Sequence, residues 1–175
     1  MDTVSKSLRP FVDLWRDGEG LNHAERKLTR RLSDLASCFR SHDLLTGALA
    51  EGDPVVYEVY ENPVSGLAGE LMYAVTVVFP GQVGSDPFMT RGHRHTEPDG
   101  GEIVFTLAGR GALLCCTSGD SQVLKLEPGN IAYAPSGWAH RAVNLGGSKL
   151  IFLSICSADV GHDYGAASWP KAAPE

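Results

Sequence analysis

Three histidines and a glutamate stand at spacings that suit a metal centre. A single residue separates His93 from His95, and Glu102 follows seven positions after His95. Side chains alternate between the two faces of a β-strand, so an i, i+2 pair sends both imidazoles to the same side. The segment Glu102 to Leu107 is rich in branched and aromatic residues and predicts the next strand, with a carboxylate at its start. Two nitrogens and one oxygen can therefore reach a single ion.

His140 offers a third imidazole from a distant part of the chain. Turn signals at Gly109-Arg110-Gly111, Gly119-Asp120 and Pro128-Gly129 separate it from Glu102, and predict a strand folded back against the first two. Three imidazoles and a carboxylate suit a divalent first-row ion, with iron, manganese, nickel, cobalt and zinc all open. An H-x-H pair alone is usually exposed or packed, so the interpretation depends on the combination.

The cysteines do not form a thiolate metal motif. Cys38, Cys115, Cys116 and Cys156 contain no C-x-x-C pair, and the adjacent Cys115 and Cys116 would point to opposite faces of a strand. We expect all four to be reduced packing residues.

Length and charge narrow the class of protein. A chain of 175 residues suffices for one domain with a proper core. The net charge of −6 and the lack of a basic run argue against nucleic acid as a partner. No apolar run approaches the roughly 20 residues of a membrane span, and residues 1–20 lack the apolar core of a signal peptide. We therefore expect a soluble, cytoplasmic protein.

The first 50 residues differ in texture from the rest of the chain. Apolar residues recur there at helical spacing, and Asn22 is a suitable N-cap. The apolar positions are Leu28, Leu32, Leu35, Ala36 and Phe39. The pattern predicts a helix from Asn22 to Phe39, in an N-terminal extension of residues 1–50 that packs on the outside of the rest or at a subunit contact.

Short β-prone runs follow after Gly52-Asp53-Pro54, and turn residues separate nearly all of them. The runs are Val55 to Tyr60, Met72 to Phe79, His93 to Thr96, Glu102 to Leu107, Ala112 to Thr117, Gln122 to Leu126, Asn130 to Ala134, His140 to Asn144 and Lys149 to Ile155. Many short strands predict a mainly β fold, an antiparallel sandwich or closed barrel, over residues 51–165. Residues 166–175 form a loosely held tail in this interpretation.

Two segments resemble the two motifs of the cupin superfamily. Residues 92–109 read G-H-x-H-x(6)-E-x(6)-G, and residues 135–144 read P-x(4)-H-x(3)-N. The phrases FMTRGHRH, EPGNIAYAPSGWAHRAVNLG and ADVGHDYG are similar to those of the cupin-type glucose-6-phosphate isomerases of archaea and some bacteria. The resemblance extends upstream through GDPVVYEVYE and RRLSDLASCF, and so covers residues 30 to 165.

This resemblance implies a jelly-roll barrel, commonly a homodimer, that interconverts glucose 6-phosphate and fructose 6-phosphate. It also implies one divalent metal ion per subunit, with Fe2+ and Mn2+ favoured over Ni2+, Zn2+ and Co2+. By motif position the ligands are His93, His95, Glu102 and His140. Hydroxyls and backbone amides hold the phosphate in the family, and the corresponding residues are Tyr57, Thr76, Thr90, Gly92 and Tyr164. His162 would lie near the reactive end of the sugar or near its phosphate.

An aldose–ketose isomerase needs a base and an electrophile. The reaction removes a proton from C2 of the sugar and delivers one to C1, while negative charge builds on the carbonyl oxygen. A divalent ion that binds both sugar oxygens is a suitable electrophile. Glu102 is the candidate for the base that carries the proton through a cis-enediol. A hydride shift, which needs no base, is the alternative.

Two positions depart from the family pattern. The family often has tyrosine in E-I-Y, where this chain has Glu102-Ile103-Val104. Val104 lies on the same strand face as Glu102 and would present methyl groups to the cavity in place of a phenol, which bears on the identity of the sugar. Arg94 stands where the family often has an aromatic residue and should face away from the metal.

Three other functions fit the same ligands. They are an iron-dependent cupin oxygenase, an isomerase acting on a related phosphosugar, and a non-catalytic cupin that binds a small ligand or another protein. The phosphate-binding phrases favour glucose-6-phosphate isomerase. Val104 keeps the related phosphosugar and the non-catalytic protein open.

Overall fold

Antiparallel strands make up most of the computed structural model, which describes residues 9–62, 69–96, 100–165 and 169–170. The strands are β1 (Trp15–Arg16), β2 (Gly20–Leu21), β3 (Arg26–Arg31), β4 (Val55–Asn62), β5 (Leu71–Val78), β6 (Gln82–Val83), β7 (Asp86–Pro87), β8 (Arg94–His95), β9 (Glu102–Ala108), β10 (Gly111–Cys116), β11 (Ser121–Leu126), β12 (Ile131–Ala134), β13 (Ala139–Asn144), β14 (Leu150–Ser157) and β15 (His162–Asp163). The helices are a 3-10 helix at Ser33–Cys38 and α1 at His42–Glu51. Each predicted β-prone run coincides with a strand to within two residues, so the mainly β, antiparallel fold class is confirmed.

Two sheets carry the core. One has the strand order β12-β9-β14-β5-β4-β3, and the other has the order β11-β10-β13. Their apolar residues pack in one cluster, whose fully buried members include Val56, Val78, Leu113, Leu126 and Leu150. Along β9 burial alternates, so Glu102, Val104 and Thr106 face inward while Ile103 and Leu107 are exposed. Strand alternation therefore delivers a carboxylate to the interior, as expected.

The predicted helix from Asn22 to Phe39 is wrong. Residues 26–31 form β3, which pairs with β4 from Arg26 opposite Glu61 to Arg31 opposite Val55. Ladder hydrogen bonds to β4 and ion pairs such as Lys27 with Glu58, at 2.8 Å, hold this segment extended despite its helical spacing.

The apolar spacing that suggested a helix has another origin. Leu28 lies on β3, Leu32 follows it and Leu35 lies on the 3-10 helix, and all three pack against the same core. The α-helix of this region starts later. Its N-cap is Ser41, whose hydroxyl accepts a hydrogen bond from the Leu44 amide at 3.3 Å.

The outer face of the six-stranded sheet is only partly covered. Trp15 of β1 packs edge-on against Tyr60, with ring centroids 5.3 Å apart, and lies in a second apolar cluster with Val75, Val77 and Ile151. Nearer β9 and β12 the face exposes large apolar side chains, which are Ile103, Leu107, Ile131 and Tyr133. Among the described residues, no helix has the length and apolar character to cross a membrane.

A β-bulge interrupts the pairing between the segment before β8 and β13. Met89 lies opposite Val143 and His93 lies opposite His140, so Thr90–Gly92 face only two residues of β13. The His93 amide donates to the His140 carbonyl at 3.1 Å, and the His140 amide donates back at 2.8 Å. Gly92 has a φ of 78°, a left-handed conformation that favours glycine. We refer to Thr90–Gly92 as the bulge.

Candidate metal centre and substrate cavity

The four predicted ligands come together. His93, His95, Glu102 and His140 each offer a ligand atom, and these atoms all lie within 4.8 Å of one another. His93 and His140 lie opposite each other in a β-bridge, which places both side chains at the site. His95 comes from β8 and Glu102 from β9. The chain thus brings local and non-local side chains into one cluster that could hold a metal ion.

Glu102 lies at the centre of this cluster. Its Oε2 atom is 3.1 Å from Nε2 of His140, 3.2 Å from Nε2 of His95 and 3.8 Å from Nε2 of His93. Glu102, His95 and His140 are buried. All four side chains therefore direct their ligand atoms at one point away from bulk water.

The outer nitrogens of two imidazoles are fixed by the backbone. Nδ1 of His95 lies 2.6 Å from the Gly100 carbonyl, and Nδ1 of His140 lies 3.2 Å from the Trp138 carbonyl. A carbonyl only accepts, so each Nδ1 donates and the Nε2 of the neutral ring carries a lone pair directed at Glu102. Lone pairs and a carboxylate oxygen repel unless a positive charge lies between them.

A divalent ion fits this donor set. Nε2 of His93 and Nε2 of His95 are buried without a hydrogen-bond partner among the described residues. Buried polar atoms are normally paired, so these orphaned nitrogens indicate a missing partner. Neutral imidazoles and an ionised carboxylate are also the protonation states that metal binding requires.

The electrostatics of the cluster favour those states. Burial raises the pKa of the Glu102 carboxyl, but its contacts with His140 and His95 outweigh burial and hold the pKa well below its usual range. Burial and the neighbouring His140 lower the pKa of His93 to about 2. For His95, burial lowers the pKa, but Glu102 and the Gly100 carbonyl outweigh it and leave the pKa raised. Without a metal, a proton on His95 is thus the favoured positive charge.

The predicted substrate residues line a single cavity next to these ligands. The cavity has a volume of about 110 Å3 and is bordered by His93, Glu102 and His140. Its walls include all the residues predicted to contact substrate, which are Tyr57, Thr76, Thr90, Gly92, His162 and Tyr164. His95 lies behind this wall, with 5% of its surface exposed.

His162 and Tyr164 stand at the mouth of the cavity. β15 pairs with β8, so His162 lies opposite His95. The His162 ring packs edge-on against the His93 ring, with centroids 4.3 Å apart. The centroid of the Tyr164 ring lies 6.2 Å from that of His162. Burial and the neighbouring His95 lower the pKa of His162. A neutral imidazole therefore faces the cavity beside the candidate metal ligands.

Thr90 is prepared to donate a hydrogen bond into the cavity. Its amide donates to the Ala142 carbonyl at 2.9 Å, while its side-chain oxygen accepts from the Ala142 amide at 3.1 Å. Because the oxygen already accepts, its hydroxyl hydrogen is left to donate elsewhere.

Val104 and Arg94 lie where the sequence placed them. Val104 lines the cavity and is almost fully buried, so methyl groups and no phenol stand beside Glu102. Arg94 is exposed and makes an ion pair with Asp163 at 2.8 Å.

All four cysteines are free, and burial raises the pKa of Cys115 to about 11 and that of Cys156 to about 12. These thiols are therefore protonated and unreactive at neutral pH.

Two arginines of the cavity wall were missed from the sequence. Arg91 lies over the Tyr164 ring, 5.2 Å from its centroid, and was detectable as a cation inside the T-R-G-H phrase. Arg141 follows His140, so alternation puts it on the outer face of β13, where arginine normally meets water. The structure covers that face, and Arg141 is buried.

Comparison with solved structures agrees with this architecture. An oxalate oxidase structure superimposes with a TM-score of 0.52 at 18% identity, covering 62% of this chain and 54% of that one. Oxalate oxidase in complex with the substrate analogue glycolate gives a TM-score of 0.53 at 17% identity, with 62% and 55% covered. At these identities the likeness shows the fold alone. The fold is that of the cupins, and the cluster of three histidines and one glutamate lies within it.

Sequence comparison gives the family. The family model for glucose-6-phosphate isomerase (GPI) matches residues 29–172. The glucose-6-phosphate isomerase of Thermococcus litoralis is 44% identical over 147 residues, or 83% of this chain and 77% of the relative. That of Pyrococcus furiosus is 42% identical over 147 residues, covering 83% and 78%. The chain therefore belongs to the cupin-type glucose-6-phosphate isomerase family.

Proposed function

We propose that this protein interconverts glucose 6-phosphate and fructose 6-phosphate in the cavity beside His93, Glu102 and His140. One observation carries the proposal: a candidate metal cluster borders the same cavity as the hydroxyls of Tyr57, Thr90 and Tyr164. Relatives that are 42–44% identical are named for this activity. A cytoplasmic location, where phosphosugars are made and consumed, belongs to the same proposal.

The metal ligands in this proposal are His93, His95, Glu102 and His140, and Fe2+ or Mn2+ is the favoured ion. When bound, the ion would polarise the carbonyl oxygen of the open-chain sugar. Oε2 of Glu102 is the oxygen that faces all three imidazoles, so in this proposal Oε2 would bind the ion and Oε1 would face the sugar. The buried imidazoles keep that carboxyl ionised.

The proton between C2 and C1 has two candidate carriers. Glu102 is close to the centre of the cluster, but its lowered pKa makes it a weak base. His162 has a lowered pKa, is neutral at pH 7 and packs against His93 at the cavity mouth, so it can accept a proton. Deuterium from solvent at C1 or C2 of the product would support proton transfer. Its complete absence would support a hydride shift.

The phosphate binds at the other end of the cavity, in contact with Tyr57, Thr76, Thr90, Gly92 and Tyr164. Support comes from the free hydroxyl hydrogen of Thr90 and from Arg91, whose guanidinium lies over Tyr164. A dianionic phosphate is best held by several donors and nearby positive charge.

A related phosphosugar is the second candidate substrate. Val104 leaves an apolar wall beside Glu102, so a sugar that places no hydroxyl at that wall would bind equally well. Turnover of other hexose and pentose phosphates tests this alternative directly.

The proposed active form is a homodimer. Ile131 and Tyr133 are 72% and 59% exposed on the sheet face that also bears Ile103. Adjacent apolar side chains of this size are usually covered in an assembly. A second copy of the chain is the proposed cover.

The function is tested by removing metal with a chelator and restoring Fe2+, Mn2+, Ni2+ or Zn2+ separately. Fructose 6-phosphate is added, and glucose 6-phosphate is detected with a coupled dehydrogenase. We expect turnover that chelation abolishes and at least one metal restores. No turnover with any metal would overturn the proposal, and oxygen uptake with another substrate would favour an oxygenase.

A further inference from the structure

Arg141 is a buried cation without a carboxylate partner among the described residues. It is 8% exposed, and no ion pair of the described chain includes it. Its guanidinium donates to neutral acceptors, which are the Arg91 carbonyl at 2.6 Å, Met89 Sδ at 3.3 Å and Cys38 Sγ at 3.6 Å. Its Nε is buried with no hydrogen-bond partner in the part of the chain that the structure describes. Buried charges are normally paired, so this one calls for an explanation.

The guanidinium supports the bulge from behind. Its shortest hydrogen bond is to the carbonyl of Arg91, the middle residue of the bulge. That bond engages the Arg91 carbonyl oxygen, whose partial negative charge would otherwise be free to repel an anion. The amides of the bulge and the Thr90 hydroxyl attract an anion.

The Trp169 ring closes the other side of Arg141. Its centroid lies 4.4 Å from the guanidinium carbon. A side chain at Gly92 would collide with both the Trp169 ring and the Arg141 stem, so the two residues pack directly beneath the bulge. Trp169 and the bulge therefore limit the positions that the guanidinium can adopt.

Among the described residues, two arginines and two glutamates line the cavity. Arg141 and Arg91 both contribute to the wall. The one carboxylate there besides Glu102 is Glu61, which is paired with Arg26. The countercharge missing from Arg141 is thus supplied best by an anionic ligand in the cavity.

We propose that Arg141 is a positioning residue for the phosphate group of the substrate. It holds the bulge so that Thr90 and Gly92 present donors to the phosphate, and its buried charge strengthens the attraction for the dianion. This inference rests on the proposed function, because it concerns the same cavity. It predicts that Arg141 determines selectivity for phosphorylated over neutral sugars.

The test compares Arg141→Met and Arg141→Lys with a matched control, Arg110→Met. Arg110 is also an arginine that donates to a backbone carbonyl, that of Leu145 at 3.4 Å, but it does not line the cavity. We expect Arg141→Met to raise KM for the phosphosugar and Ki for inorganic phosphate about tenfold or more, as expected for losing charge-assisted binding. kcat at saturating substrate should change less than threefold. KM and Ki of Arg141→Lys should lie between those of Arg141→Met and the parent protein. Arg110→Met should have the same constants as the parent protein.

A purely structural role gives a different pattern. If Arg141→Met binds metal normally, and its KM and Ki stay within twofold of the parent values, the proposal is overturned. Equal losses of kcat and metal content, with Ki for phosphate unchanged, would overturn it as well. If Arg141→Met does not fold, Arg141→Lys decides the question by the same two constants.

Binding of inorganic phosphate separates this inference from the function. Phosphorus NMR line broadening measures phosphate binding to the metal-loaded protein without any turnover. If the parent protein does not isomerise glucose 6-phosphate, the proposed function fails, yet weaker phosphate binding in Arg141→Met still supports the role of Arg141. Equal phosphate binding by both proteins would overturn that role even in an active isomerase.

Discussion

Replacing Glu102 by glutamine should stabilise the metal-free protein at high pH while removing its response to metal. In the parent protein, the Oε2 atom of Glu102 is 3.1 Å from His140 Nε2 and 3.2 Å from His95 Nε2. Both rings donate through Nδ1 to backbone carbonyls, so both Nε2 atoms accept. The carboxylate thus faces two acceptors, whereas a glutamine amide can donate a hydrogen to each.

The size of the effect follows from these two contacts. A neutral hydrogen bond contributes about 1 kcal/mol, so two add about 2 kcal/mol to the free energy of unfolding. For a protein of this length that corresponds to a rise in Tm of about 4–8 °C. A metal at a thousand times its Kd stabilises the parent by about 4 kcal/mol, and Glu102→Gln should lose most of that gain.

The pH dependence gives the direction an independent check. Despite burial, the contacts of His95 with Glu102 and the Gly100 carbonyl leave its pKa raised above 6.5. Stability from a protonated His95 beside Glu102 is therefore fully present below that unfolded value and is lost as the pH rises through the folded one. The advantage of glutamine should be largest near pH 9 and should shrink or reverse near pH 6.

Thermal unfolding in chelator, at pH 6 and pH 9, measures this comparison, followed by titration with Mn2+. Glu127→Gln is the control, because Glu127 is partly exposed and its one ion pair among the described residues is with Lys125, at 3.1 Å. A metal-free Glu102→Gln protein that melts below its parent at pH 9 would refute the arrangement of donors and acceptors. A full metal response in that variant would show that Glu102 is not a ligand.

Three further predictions address the ligands, the phosphate and the assembly. His95→Ala should lower metal affinity at least about 100-fold, measured by metal analysis after dialysis, while alanine at the exposed His42 should leave it unchanged; unchanged metal content in the first variant would remove His95 from the ligand set. Tyr164→Phe should raise KM for the phosphosugar about tenfold with little change in kcat, since a hydrogen bond to a charged group is lost, and an unaltered KM would exclude that role. Ile131→Lys should halve the mass measured by light scattering, whereas Val123→Lys on the other sheet should not, and a dimer that survives Ile131→Lys would place the subunit contact elsewhere.

The site was more predictable than the N-terminal region, for a physical reason. Ligand spacing and strand alternation are local properties, so the inward directions of His95 and Glu102 follow from β8 and β9 alone. The segment Asn22 to Phe39 carries helical spacing, but its conformation depends on β4, a partner more than twenty residues away. Long-range pairing of this kind overrides local propensity and leaves little trace in the sequence.

Arg141 illustrates the same limit within the cavity. Its position next to His140 on β13 predicts a side chain that meets water, but the structure buries Arg141. Nothing in the sequence indicates that Cys38 and Trp169, each distant along the chain, cover that outward face. Burial of a charged residue by remote segments is a property of the assembled fold.

The bulge also lets Thr90 and His93 point into the same cavity. Thr90 and His93 both line the cavity, although they are three positions apart along the chain and an uninterrupted strand would turn one of them outward. The extra residue opposite β13 restores the common orientation. Deleting Gly92 would therefore leave a choice between a correctly aimed threonine and a correctly aimed histidine. The protein therefore cannot accept insertions or deletions at the bulge, whereas it can accept substitutions of the residues around it.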